Sequence, residues 1–168
     1  RLDKNTSGAL MVAKNEQSLH SLTLALKNKA VKRHYLAVVS KSLYRRQTIS
    51  APVGRHPSKR TLMAVTEKGK EAITHFTVKE TFARHTLLSV QLETGRTHQI
   101  RVHFAHKGFP ILGDPVYNRR LIIPKNPSPA LLDCLAHFKR QALHAECLAF
   151  VHPRTKETIT CNAPIPKD

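Results

Sequence analysis

Residues 72–108 read AITHFTVKETFARHTLLSVQLETGRTHQIRVHFAHKG. Two runs within them, AITHFTVKE (72–80) and HTLLSVQLE (85–93), alternate apolar and polar side chains closely enough to predict a pair of adjacent strands. The second strand ends at Glu93, Gly95 permits a sharp turn, and THQIRVHFAHKG (97–108) predicts a short helix opened by Thr97 and stopped by Gly108 in the left-handed position. A hairpin feeding directly into a helix points to an α+β domain with a mixed, mostly antiparallel sheet.

Working outward, HYLAVVS (34–40) is β-branched and aromatic and predicts another strand. Upstream, GALMVA (8–13) reads as a short buried strand, and Asn15 caps a helix through about Lys29 with Leu19, Leu22 and Leu26 on one face. Downstream, ILGDPVY (111–117) reads as strand then turn, and ALLDCLAHF (130–138) as a short helix after a Pro-punctuated loop. ALHAECLAFVH (142–152) and ETITCNA (157–163) predict a final hairpin. The stretch 41–63 reads as a loop, dense in Lys, Arg, Pro and Gly and free of acid.

The 168 residues suit one domain, and their formal net charge is +17, with 28 Lys and Arg against 11 Asp and Glu. Such an excess repels itself, so a polyanionic partner is expected. The basic residues are dispersed and no amphipathic cationic helix stands apart, which favours nucleic acid over a membrane surface. No apolar run is long enough for a membrane span, no signal pattern opens the chain, and the cytoplasm is the expected compartment. Three widely spaced cysteines, Cys134, Cys147 and Cys161, suit reduced, partly buried thiols better than a disulfide framework.

Two stretches carry candidate chemistry. In LETGRTHQIRVH (92–103), Arg96 lies in a turn and Arg101 about one turn into a helix whose N-terminus already favours anions. The pair suits a carboxylate or a phosphate, and equally any nearby surface acid. In RLDKNTSGALMVAK (1–14), Asp3 is a lone acid between basic neighbours. By its context alone it reads as a turn residue. His98, His103 and His106 lie near one another in sequence, but no Cys or acid completes a set at ligand spacing, so RNA contact or helix packing is expected there rather than a metal.

Together these stretches resemble a known family. RLDKNTSGALMVAK is similar to the R-L-D-x-x-T-S-G-x-L segment of the RluA-type pseudouridine synthases, KRHYLAVV (32–39) to their tyrosine strand, and residues 92–117 to their G-R-T-H-Q-I-R-x-H…GDxxY segment. GRHPSKRTLMAV, FKRQALHAECLAF and HPRTKETITCNAPIP extend the likeness almost to the C-terminus, toward the RluD-like branch acting on large-subunit ribosomal RNA.

The resemblance implies site-specific isomerisation of uridine to pseudouridine, with Asp3, Tyr35 and Arg101 as catalytic residues. Asp3 would act as nucleophile at C1′ or as base at C2′, Arg101 would keep it charged, and Tyr35 would stack on the base and remove the C5 proton. Arg1 would enter the RNA to help displace the target base, whose extrusion exposes C1′ and C5. Arg55, Lys59, Arg60, Arg96 and His98 would contact RNA, and Asp114 and Tyr117 would serve turn and packing. The reaction gains no atom and changes no oxidation state, so no cofactor is expected. Ribosomal RNA is the expected partner; an inactive basic RNA-binding paralogue and a synthase acting on tRNA are the alternatives. The family pattern also has a His before Arg1 and further strands upstream, often with an S4-like domain. Residues 1–168 are therefore expected to be the C-terminal portion of a catalytic domain, poorly active alone and able to dimerise through an open sheet edge.

Overall fold

A computed structural model describes residues 1–118 and 120–167. In chain order its elements are β1 (Ser7–Gly8), α1 (Glu16–Lys27), β2 (Lys32–Val39), β3 (Gln47–Ser50), β4 (Val53–Arg55) and β5 (Met63–Val65), then β6 (Ile73–Thr81), β7 (Thr86–Leu92), α2 (Gln99–His106), α3 (Pro129–His137), β8 (Leu143–Val151) and β9 (Thr158–Asn162). The class is α+β, as expected. One sheet runs β1-β8-β2-β7-β6-β3, with β9 also on β8, and β4 pairs with β5 in a separate small sheet. Within these sheets only β1 and β8 run parallel.

The β6–β7 hairpin forms where alternation predicts it, with Phe76 opposite Val90 and Val78 opposite Leu88. Thr86, Leu88, Val90 and Leu92 of β7 point into the core, while Leu87, Ser89 and Gln91 face the other way. On that inner face Ile100 and Phe104 of α2 pack against Phe76, Leu88, Val90, Phe109 and Ile111. Phe76, Phe104 and Phe109 meet pairwise with ring centroids 5.3–5.7 Å apart. Each fully buried aromatic or aliphatic side chain here contributes roughly 1.5–3 kcal/mol of transfer free energy. The other side of α2 presents Val102 to Val53 and Ala72, with Met63, Val65 and Tyr117 closing over them. So α2 is held between the main sheet and the β4–β5 hairpin, and six of its eight residues are buried.

Several expectations change. The apolar run 8–13 is not a strand: pairing stops at Gly8, and Leu10 and Val12 are exposed. The cause lies on β8. β1 pairs Ser7 with His144 and Gly8 with Ala145, but the next stretch of that same edge is taken by Ala163 and by β9, whose last residue, Asn162, lies opposite Cys147. Gly8 itself cannot be replaced, because its φ is +115° and a Cβ would collide with the Ala145 carbonyl group.

The stretch 41–63 holds β3 and β4, which charge conceals because each turns only one strongly buried side chain inward, Ile49 or Val53. Ile111 forms an isolated bridge to Val39 rather than a strand. Helix α1 has the expected Asn15 cap, whose side chain accepts from Ser18 N at 2.8 Å, but only Leu22 of its leucine face is buried. Cys134 and Cys161 are exposed rather than partly buried. Among the described residues no helix is long and apolar enough to cross a membrane.

Candidate active site

The acid at the chain's start is placed by β8 and the residues just before it. Asn5 adopts a left-handed conformation, and Thr6 N donates to the Asp3 carbonyl at 3.0 Å, closing a tight turn. Buried Gln141 grips that turn, its amide donating to the Lys4 carbonyl at 2.7 Å and to Thr6 Oγ1 at 2.9 Å. Ser7 Oγ lies 2.9 Å from His144 Nδ1. The result is a fixed loop that delivers the Asp3 side chain to the N-terminal end of α2.

That helix starts at Gln99, not Thr97. His98 sits before it with φ +56°, and no side chain of the N-cap residue bonds into the helix. Gln99 organises the turn instead: its carbonyl oxygen accepts from Arg96 N at 2.9 Å and from Thr94 Oγ1 at 2.8 Å, while its amide donates to Ile73 O and Thr74 Oγ1. The turn therefore carries a buried polar hub, fully hydrogen-bonded as buried amides require.

Arg101, 4% exposed, is the junction of the site. Its Nε and Nη2 donate to the two carboxylate oxygens of Asp114 at 2.7 and 3.0 Å, and its Nη1 donates to Asp3 Oδ2 at 3.3 Å. Asp114 is fully buried, and its Oδ1 also accepts from the backbone N–H groups of Val116 and Tyr117. Burial opposes both charges, but the forked pairing and these backbone donors overcome it. The guanidinium is held above its ordinary range and the Asp114 carboxyl below. The Tyr117 ring lies 5.0 Å from the guanidinium carbon. Its hydroxyl accepts from Met63 N at 3.1 Å and lies 2.9 Å from His98 Nδ1. Burial is the largest influence on His98 and lowers its pKa, which favours the neutral ring as that hydroxyl's acceptor.

Above this junction opens a cavity of about 670 Å³, lined among others by Arg1, Asp3, Arg33, Tyr35, Arg96 and His98. It is large enough for a nucleotide. Burial raises the Tyr35 phenol above its ordinary range; the Arg33 charge opposes this and the Asp3 charge adds to it. Tyr35 is thus a neutral phenol at physiological pH. Asp3, Tyr35 and Arg101 converge, as do Arg1, Arg96 and His98. Arg55, Lys59 and Arg60 lie apart, on the β4–β5 hairpin that flanks α2, where Arg55 Nη1 braces the Arg60 carbonyl at 2.9 Å. His103 points away from the cavity, between Thr74 Oγ1 and the Ala51 carbonyl at 2.9 Å each, and among the described residues no metal-ligand cluster forms.

Asp114 is the residue that sequence reasoning places too modestly. Its turn role holds, through Val116 and Tyr117, but its carboxylate also clamps Arg101. A lone acid followed by Pro in a strongly cationic chain is the signal that could have found it. Arg33 and Gln141 carry no comparable signal, since a single Arg or Gln does not stand out in this composition.

Comparison with known proteins places the chain in a family. The family model described as RNA pseudouridylate synthase matches residues 1–106. The chain is 49% identical over 168 residues to "Ribosomal large subunit pseudouridine synthase D" of Xanthomonas campestris, covering all of this chain and 51% of that protein. It is 46% identical to the protein of the same name from Nitrosomonas europaea, covering 47% of its length. The chain thus spans about half the length of these relatives. The solved structure of human RNA pseudouridylate synthase domain containing 1 superposes with a TM-score of 0.78 at 29% identity, covering 99% of this chain and 67% of that one.

Proposed function

We propose that this chain, which belongs to the RNA pseudouridylate synthase family, isomerises uridine to pseudouridine in RNA, with large-subunit ribosomal RNA as substrate. The observation that carries the reading is the Asp3–Arg101–Asp114 junction beneath a cavity shared with Tyr35. The relatives named for large-subunit ribosomal RNA supply the substrate class.

In this reading a uridine leaves its stack and enters the cavity, which costs a few kcal/mol and is helped by Arg1 and the basic rim. The Asp3 carboxylate either adds to C1′ as the N1–C1′ bond breaks or removes the C2′ proton; both routes use the same ionised oxygen. The base rotates, C5 bonds to C1′, the C5 proton leaves, and N1 gains one. Atoms and oxidation state balance without a co-reactant. Arg101 donates to the carboxylate and orients it. Tyr35 stacks on the base, and its neutral hydroxyl relays the departing C5 proton to solvent water. The β4–β5 hairpin, with Arg55, Lys59 and Arg60, contacts phosphates beyond the cavity.

The test is tritium release from ribosomal RNA carrying 5-³H-uridine. Asp3→Asn should lose at least about a thousandfold in turnover, the scale seen when a nucleophile is removed, while RNA affinity is retained. Turnover retained by the variant would overturn the assignment.

A further inference from the structure

We propose that Arg33 forms an anion subsite of the cavity, taking a phosphodiester group of the RNA strand that flanks the target nucleotide. The proposal rests on the uridine-isomerisation reading and deepens it. Arg33 and Tyr35 are two residues apart on β2 and line the same cavity as Asp3. Yet the guanidinium is under-partnered. Among the described residues its one side-chain hydrogen bond is from Nη2 to the Glu93 carbonyl, at a long 3.4 Å, and no carboxylate lies within ion-pair distance. Its Nε is shielded from solvent and has no hydrogen-bond partner among the described residues. The adjacent Glu93 side chain is engaged elsewhere, accepting from Lys29 Nζ at 3.0 Å and meeting His75 Nε2 at 2.6 Å.

A partly buried cation without a counter-charge is costly, and the cost is recovered when an anion binds beside it. Burial already presses on this charge and lowers the Arg33 pKa. A phosphodiester offers two oxygens at a spacing that matches the guanidinium fork. A uracil carbonyl is neutral and would not offset the charge. The turn is also shaped around this side chain: a Cβ on Gly95 would collide with Arg33 Nη1. Arg96, on the other side of that glycine, commits its Nε to the Glu71 carbonyl at 2.9 Å. Among the described residues, Arg33 thus keeps its Nε and Nη1 donors free while partly buried in the wall of this cavity.

The experiment compares binding of uridine 3′,5′-bisphosphate and of uridine to the purified chain, by calorimetry and through the Arg33 Nε–H resonance. The bisphosphate should bind about tenfold or more tightly than uridine and shift that resonance, while uridine leaves it in place. In Arg33→Gln the ratio should fall toward one with uridine affinity kept within about twofold. Arg33→Lys, which retains charge without the fork, should fall between. A purely structural Arg33 would lower stability and leave the ratio intact, and that result overturns the proposal. So does a wild-type chain with no preference for the bisphosphate. If Arg33→Gln does not fold, an unmoved Arg33 resonance in the wild type overturns it. Tritium release measured in parallel separates the two readings. Turnover with no phosphate discrimination defeats the subsite alone, and discrimination alongside turnover that Asp3→Asn retains upholds the subsite and defeats the isomerase reading.

Discussion

Arg101 shares itself unequally between two acids: it grips Asp114 with two hydrogen bonds, at 2.7 and 3.0 Å, and touches Asp3 with one, at 3.3 Å. The inequality suits the chemistry proposed. Asp114 is fully buried and has its oxygens committed to Arg101 and two backbone amides, so it serves as a permanent counter-ion. Asp3 is partly open to the cavity, its carboxylate steadied by one donor, which leaves electron density available for reaction.

Removing the permanent counter-ion should therefore be worse for the fold than for any single contact. Asp114→Asn leaves a buried guanidinium facing a neutral amide and should cost about 3–5 kcal/mol in urea unfolding at pH 7. The pH dependence has a definite sign. The folded-state pKa of Asp114 lies below its unfolded value, so its stabilisation is present above the ordinary carboxylate range and is lost as pH falls through the folded value. The gap between wild type and variant should narrow on acidification below about pH 4. A gap that stays constant would show that the ionised carboxylate is not what stabilises the junction.

Tyr35→Phe keeps the ring and removes the hydroxyl. If the ring stacks on the base and the hydroxyl assists proton loss, RNA affinity should change by less than about twofold while turnover drops between a hundredfold and ten-thousandfold, the usual range for a lost acid–base group. Because burial holds the phenol protonated, the wild-type pH–rate profile should show no inflection from this residue between about pH 6 and 9. Turnover by the phenylalanine variant at the wild-type rate would remove the hydroxyl from the mechanism.

Three histidines set the response to mild acid. His85, His98 and His103 are each held below the ordinary imidazole value, mainly by burial. The unfolded chain binds protons that the folded chain excludes, so stability is complete above the unfolded value of about 6.5 and falls as pH drops toward the folded values. Urea midpoints should decline between about pH 7.5 and 5.5. His103→Gln retains a donor and an acceptor for Ala51 and Thr74 but does not titrate; it should be less stable at pH 7 and show a shallower decline. An unchanged slope would exonerate His103.

The β4–β5 hairpin should report through salt. Lys59→Gln and Arg60→Gln should each lower the slope of log RNA affinity against log salt by about 0.7–0.9 and shift stability by no more than about 0.5 kcal/mol, since both side chains are exposed. A slope identical to wild type would place the RNA on another face.

How much of the fold and the site is legible in the sequence depends on what each residue answers to. The β6–β7 hairpin can be read because its alternation and its burial coincide, and α2 ends where Gly108 supplies a positive φ of 76°. Its start cannot be read in the same way, because Gln99, four residues past Gly95, organises the turn through its side chain rather than through a cap. Residues 8–13 mislead because hydrophobicity reports the wish for burial and not the availability of a strand edge. At the site, Asp3, Tyr35 and Arg101 are found through family-like motifs. Asp114 leaves a fainter trace, an acid before Pro in a cationic chain, and Arg33 leaves none, because an unpaired Nε is a property of the assembled interior alone.

The two short pairings on one edge of β8 have a final implication. β1 occupies that edge at His144 and Ala145, and Ala163 bonds Glu146 immediately beyond. The last strand thus works as a stop against which the first is seated, and residues more than 150 positions away along the polypeptide help fix where the Asp3 carboxylate comes to rest.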